Sequence, residues 1–188
     1  MCIRDSGYPG PAIGLANTPD GGGYVILNTS GGIYTFGNAG YFGNLIDHRY
    51  PGPAVAISMT PSGHGYAILT QNGGFYTFGD ALYWGNLLDH GFPGPAVGFA
   101  YTPDGKGYDI LTASGAIYSF GNALYFGNLI DHGYPGPATS LAYSINTGRG
   151  YAILTAVGGL FTFGDTLYLG NLLDHGYPGP AVAVSSTP

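Results

Sequence analysis

An all-β fold of consecutive four-stranded antiparallel blades, a β-propeller, is what this sequence predicts, on three observations. First, Pro-Gly-Pro returns at Pro9–Pro11, Pro51–Pro53, Pro93–Pro95, Pro135–Pro137 and Pro178–Pro180, with spacings of 42, 42, 42 and 43 residues. A period of that length marks units that each need a neighbour to bury their apolar face. Second, small and large residues alternate with period two in every repeat, and no segment carries helical periodicity or a capping box. Third, each repeat holds three short turn signals and one long connector, the layout of a meander blade followed by a crossover.

The repeat region spans 7–188, with repeats approximately over 9–50, 51–92, 93–134 and 135–177 and a partial repeat over 178–188. Residues 1–6, Met1-Cys2-Ile3-Arg4-Asp5-Ser6, match nothing in the repeats and read as the translation of a sequencing-library adapter. They are set aside from fold reasoning. The first and last repeats both break off inside the unit, so the expectation is a fragment of a longer array, of metagenomic type.

The third repeat shows the elements in order. Ala96-Val97-Gly98-Phe99-Ala100-Tyr101 alternates small with large, as do Ala54–Met59 and Ala138–Tyr143. One face of this strand is nearly all Ala, Gly or Ser, which lets a neighbouring sheet come close and suits the innermost strand of a blade. Thr102-Pro103-Asp104-Gly105 is a turn: Pro presets φ, Asp bonds its own backbone and Gly accepts positive φ. Gly107–Thr112 reads as the second strand, Ala113-Ser114-Gly115 turns the chain, and Ile117–Phe120 forms the third. Gly121-Asn122 is a hairpin signal, and Leu124-Tyr125-Phe126-Gly127 is the expected fourth strand. The connector Asn128–Pro137 then spans ten residues. At about 33 Å extended it can cross the roughly 14 Å width of a four-stranded sheet.

Composition restricts the function. Gly and Pro make up 50 of 188 residues, yet they are periodic and interleaved with 45% hydrophobic and 15% aromatic residues, which fits a packed β fold. Charged residues are only 7%, Glu is absent, Lys106 is the only lysine and the net charge is −6. Such a surface repels phosphate backbones and speaks against nucleic-acid binding. No apolar run approaches the roughly 18 residues of a membrane span. The single cysteine, Cys2, lies in the adapter, so no disulfide is expected. The low-lysine, Gly/Tyr/Thr/Asn-rich surface suggests an extracellular or cell-surface location.

The stretch from Tyr101 through Thr102-Pro103-Asp104-Gly105-Lys106 to Tyr118 resembles the strand–turn–strand pattern of TolB-type propeller repeats. Thr18–Tyr24 (TPDGGGY) and Gly73–Ala81 (GGFYTFGDA) are similar to the TPDGxGY…GGxxxFGDA repeats of secreted actinobacterial proteins. The resemblance covers essentially all of 7–188. It implies a secreted propeller, often beside cell-wall hydrolase or surface-associated domains, and supplies no catalytic residue. The Asp-His pair before each Pro-Gly-Pro lies outside that pattern.

That pair is the foremost candidate binding feature: Asp47-His48, Asp89-His90, Asp131-His132 and Asp174-His175. Neighbouring Asp and His can ligate a cation or hydrogen-bond sugar hydroxyls. The structural alternative is that Asp caps the turn while His packs on the following aromatic or proline. A second candidate is the aromatic set Tyr41-Phe42, Tyr83-Trp84, Tyr125-Phe126 and Tyr168-Leu169, of which alternation exposes one member per pair. Trp84, the only tryptophan, is its foremost member. Asp80 and Asp165 interchange with Asn38 and Asn122 as turn residues tolerant of the left-handed region do. Asp109 replaces Val25, Ala67 and Ala152 and is expected at a solvated spot. Asn28-Thr29-Ser30 is a formal glycosylation sequon.

No GxSxG, HExxH, P-loop or calcium loop occurs. The expectation is therefore a non-enzymatic binding or scaffold module with no catalytic, cofactor or metal residues, meeting cell-wall glycan or another surface protein. Two rival readings remain: a structural repeat that self-assembles, and an accessory region of a cell-wall hydrolase whose catalytic domain lies elsewhere.

Overall fold

A computed structural model describes residues 10–50, 52–92, 94–134, 137–144, 147–177 and 180–185. Residues 1–6, read above as an adapter, and the last three residues, 186–188, lie outside these, as do parts of several Pro-Gly-Pro triplets. The described residues form four antiparallel sheets of three strands each, in simple meander order, with no helix. The first module holds β1 (Ala12–Asn17), β2 (Gly23–Asn28) and β3 (Ile33–Gly37). The second holds β4 (Ala54–Met59), β5 (Gly65–Thr70) and β6 (Phe75–Gly79). The third holds β7 (Ala96–Tyr101), β8 (Gly107–Thr112) and β9 (Ile117–Gly121), and the fourth β10 (Ala138–Tyr143), β11 (Gly150–Thr155) and β12 (Leu160–Gly164). Among the described residues no helix is long and apolar enough to cross a membrane.

The expected fourth strand does not form. Residues 39–44, 81–86, 123–128 and 166–171 are irregular, so each sheet has three strands where the sequence predicts four. Two physical causes are visible. Gly43, Gly85 and Gly127 take φ of 130°, 136° and 131°, which breaks extended strand geometry. In the first three modules the backbone groups a ladder would use are also claimed from the next module, whereas 166–171 are irregular without that contact. The Tyr66 hydroxyl accepts from Phe42 N–H at 3.1 Å and donates to Gly43 C=O at 2.6 Å. Tyr108 treats Trp84 and Gly85 the same way, and Tyr151 does so for Phe126 and Gly127.

Successive modules meet through their first strands: β1 packs on β4, β4 on β7 and β7 on β10. The small residues make this possible. A Cβ added to Gly14 would lie 3.1 Å from Ile57 Cγ2, and one on Gly98 would come within 3.9 Å of Ser140 Cα. Each first strand carries a bulge at the same place, between Ala12 and Gly14, Ala54 and Ala56, Ala96 and Gly98, Ala138 and Ser140. Backbone bonds tie the row together. Thr29 N–H donates to Pro11 C=O, and Thr29 C=O accepts from Ala54 N–H of the following module; Gln71 and Ala113 repeat the arrangement. Contacts between the first and fourth sheets are absent among the described residues.

The apolar core is divided into three clusters, each shared by two consecutive modules. Val25, Leu27, Ile33 and Leu45 of the first module pack with Ala54, Met59, Tyr66, Ile68 and Phe78 of the second. Burial of such side chains is worth roughly 1.5–3 kcal/mol each, and it is realised only across a junction. A lone module has no core of its own.

Candidate functional site

Each connector folds back as a five-residue turn, 45–49 in the first module and 129–133 in the third. In every module the turn is held by one repeated unit of Tyr, Asn and Asp. Asn44 Oδ1 accepts the Asp47 N–H at 2.7 Å, while Asp47 Oδ2 accepts from the Tyr41 hydroxyl at 2.7 Å and Asn44 Nδ2 at 3.0 Å. Asn86 and Asp89 repeat the backbone contact at 2.8 Å, Asn128 and Asp131 at 2.8 Å, and Asn171 and Asp174 at 2.9 Å. The hydroxyls of Tyr83, Tyr125 and Tyr168 donate to Asp89, Asp131 and Asp174. Desolvation, reinforced by the Asp131 acceptor, pushes the Tyr125 phenol up to about 12. Desolvation and Asp89 raise Tyr83 still further, and for Tyr168 the bond to Asp174 is the leading cause of an upward shift. The phenols therefore remain protonated donors throughout the physiological range.

The histidines do not join the carboxylates. His48 stacks on Tyr50 with centroids 5.5 Å apart and tilts against Phe78 of the next module at 5.7 Å. His90 stacks on Phe92, and His132 on Tyr134. Those aromatics stack in turn on the following module, Tyr50 on Tyr76 at 4.2 Å, Phe92 on Tyr118 at 4.1 Å and Tyr134 on Phe161 at 4.1 Å. Asp and His are thus adjacent in sequence but occupied separately: Asp in the turn, His in an aromatic ladder that crosses the junction. Among the described residues no three His, Cys, Asp or Glu side chains converge.

The first three aromatic pairs divide as alternation requires, although their segments are not strands, whereas both members of the fourth, Tyr168 and Leu169, are exposed. Tyr41, Tyr83, Tyr125 and Tyr168 are half-exposed. Phe42, Trp84 and Phe126 turn inward against Tyr66, Tyr108 and Tyr151 at 5.6 Å in each case. Trp84 is therefore a junction residue.

Several residues have roles the sequence reading did not assign. The interchanging Asp and Asn belong to a coupled pair of turns. Asp20 Oδ2 accepts from Asn38 Nδ2 at 2.6 Å, and Asp104 Oδ2 from Asn122 Nδ2 at 2.7 Å. Where the first turn offers a hydroxyl in place of Asp20 or Asp104, the carboxylate stands in the second: Ser62 Oγ donates to Asp80 Oδ2 at 2.5 Å and Thr147 Oγ1 to Asp165 Oδ1 at 2.8 Å. The Thr18 and Thr102 hydroxyls lead the interactions that hold Asp20 and Asp104 below the usual carboxylate range. Asp109 is not solvated. It is fully buried, and the Tyr143 hydroxyl of the next module donates to its Oδ2 at 2.6 Å. Asn28 of the formal sequon is also buried, with Oδ1 accepting the Gly32 N–H at 2.7 Å, so its amide is not presented for glycosylation.

An open groove of about 420 Å³ runs along the first strands, lined by Val55, Gln71, Pro95, Val97, Thr139, Val182 and neighbouring alanines. It contains no titratable side chain and so offers no acid or base chemistry. Neither a protein-family model nor a curated protein sequence matches the chain.

Proposed function

We propose that the chain is a run of β-propeller blades from a secreted or cell-surface bacterial protein, and that it binds cell-wall glycan without catalysing a reaction. The observation that supports this reading is the Tyr–Asn–Asp unit, built four times in equivalent positions with its tyrosine ring half-exposed. An aromatic face suits the apolar face of a sugar ring, while a carboxylate and an amide fixed beside it suit hydroxyl groups. A repeating ligand meeting repeated weak sites gains avidity of about 10²–10⁴ over one site. A polymeric glycan is such a ligand.

The test is a glycan array and a peptidoglycan pull-down with the folded protein and a variant carrying Tyr41→Ala, Tyr83→Ala, Tyr125→Ala and Tyr168→Ala. Binding is expected to fall stepwise as rings are removed and to be stronger for polymer than for short oligosaccharides. Undiminished binding by the four-fold variant rules out this edge. No binding by the correctly folded wild-type chain rules out the glycan reading.

A further inference from the structure

We propose that the polymer taken by the Tyr–Asn–Asp units carries free amino groups, each unit holding one ammonium-bearing sugar, as in a de-N-acetylated amino-sugar chain. This rests on the glycan reading above and narrows it to one class of ligand. The unit has two open features. The rings of Tyr41, Tyr83, Tyr125 and Tyr168 are between 47% and 50% exposed. Asp47, Asp89, Asp131 and Asp174 are exposed too, and only one side-chain oxygen of each is engaged. Oδ2 accepts the tyrosine hydroxyl, and Oδ1 has no partner among the described residues.

Ring and carboxylate favour the same charge. The face of an aromatic ring attracts a cation, and a phenol that donates to a carboxylate is richer in electrons than a free one. The carboxylate lies at the hydroxyl end of that ring, within hydrogen-bond reach of its oxygen. A pyranose stacked on the ring carries its substituents at its rim, so an amine there meets both the aromatic face and the open Oδ1. A hydroxyl gains only the hydrogen bond, an N-acetyl group brings no charge, and a uronate or phosphate is repelled. A bare metal ion finds too few ligands, because among the described residues no three His, Cys, Asp or Glu side chains converge.

The placement of charge in the fold supports the same ligand. Lys106 and Arg149 sit in turns between the first and second strands of their modules. The connector turns lie at the other end of each sheet, bonded to the turn between the second and third strands, as Leu129 N–H is to Gly115 C=O at 3.1 Å. Among the described residues one lysine or arginine alone, Arg49, stands in a connector turn. It follows Asp47 by two residues, where Gly91, Gly133 and Gly176 follow the other three aspartates. Its φ of 54° is close to the 63–65° of those glycines, so the turn is the same and only the side chain differs. Arg49 offsets the charge of the first unit, which makes that unit the weakest of the four toward an amine.

Glycol chitosan, a soluble polymer with free amines, and the same preparation after N-acetylation differ in this one group. Biolayer interferometry on the immobilised protein is expected to give about tenfold tighter binding of the amine form, with a gap that shrinks as salt is raised. A variant carrying Asp47→Asn, Asp89→Asn, Asp131→Asn and Asp174→Asn keeps an acceptor for each tyrosine and loses the charge. With its fold checked by circular dichroism, it is expected to bind the two forms equally. Arg49→Gly gives the first turn the residue of the other three and is expected to raise affinity for the amine form alone. Equal or tighter binding of the acetylated form by wild type, lost in the four-tyrosine variant, overturns the amine assignment and leaves the glycan reading standing. Binding of no glycan at all removes both. A preference for the amine form that survives loss of the four tyrosines is the attraction of a polycation to an acidic protein, and it too overturns the proposal. So does a preference retained by the asparagine variant; where that variant fails to fold, Arg49→Gly decides, and an unchanged affinity for the amine form overturns the assignment.

Discussion

Replacing Asp109 by Asn should stabilise the protein at neutral pH and remove a pH dependence of unusual sign. Asp109 is fully buried on β8, where β2, β5 and β11 carry Val25, Ala67 and Ala152. Burial pushes its carboxyl up from 3.8 to about 6, and the hydroxyls of Ser119 and Tyr143 offset only part of that cost. The unfolded chain ionises this group near 3.8 and the folded chain near 6, so between those values the folded state holds more protons. Stability attributable to Asp109 therefore falls as pH rises from about 4 to about 6 and stays low above that. At about 1.4 kcal/mol per pH unit, the displacement costs about 3 kcal/mol at neutral pH. Asp109→Asn keeps a carbonyl oxygen for Tyr143 and cannot ionise. It is expected to gain roughly 2–3 kcal/mol near pH 7 and nothing near pH 4. Asp20 and Asp104 are held below their ordinary value, and their contribution is lost only as pH falls through the more acidic range, so the two windows separate. Urea unfolding at several pH values, followed by far-ultraviolet circular dichroism, measures the difference. Equal stability of wild type and Asp109→Asn near pH 7, or a gap that does not close toward pH 4, refutes the reasoning.

Two further outcomes test the junctions. Tyr108→Phe leaves Gly85 C=O and Trp84 N–H without the hydroxyl that serves both. It should cost roughly 1–3 kcal/mol in a thermal or urea melt, and a neutral effect would show that the tyrosine pin is dispensable. Gly115 has φ of 87° and a Cβ there would lie 2.6 Å from Leu129 Cβ, whereas Gly133 has φ of 63° and meets nothing within 4 Å. Gly115→Ala should therefore destabilise by more than the roughly 1–2 kcal/mol of backbone strain expected for Gly133→Ala; equal losses would remove the leucine contact as a cause.

The three-strand meander was legible because its signals are local. Alternation marked Ala96–Tyr101 and Gly107–Thr112 with the bounds that β7 and β8 have, and the Pro-Asp-Gly turns carry their own geometry. The missing fourth strand was not legible from Leu124-Tyr125-Phe126-Gly127, whose composition suits a strand. The Tyr151 hydroxyl, 25 residues later than Phe126, takes backbone groups a ladder needs, yet residues 166–171 are irregular without such a contact, and what all four segments share is a glycine at positive φ. A signal was present in the sequence: Gly43, Gly85, Gly127 and Gly170 recur at one position of this segment. The turn coupling had a signal too. Asn stands at 38 and 122 when Asp stands at 20 and 104, and Asp stands at 80 and 165 when a hydroxyl residue stands at 62 and 147. One carboxylate per turn pair avoids placing like charges together. Asp109 was misplaced because a carboxylate is rarely buried without a partner, and its partner, Tyr143, lies in the following module.

Four modules share three cores, so stability here belongs to junctions. In such a row the free energy is approximately a sum of unit and nearest-neighbour terms, and a change at one junction acts chiefly on the two modules that form it. Asp109 is the departure from uniformity that matters most in this respect. It stands at the junction of the third and fourth modules, facing Tyr143, whereas Tyr101 at the preceding junction faces Ala67 and its hydroxyl has no partner among the described residues. Mild acidification therefore tightens the third junction alone. Ala67→Asp should transfer the same behaviour to the second junction: a carboxyl there can accept from Tyr101, and stability should then rise at both junctions as pH falls from about 6 to about 4. If Ala67→Asp instead destabilises the protein equally at both pH values, the pairing of Asp109 with Tyr143 depends on more of its surroundings than the two side chains.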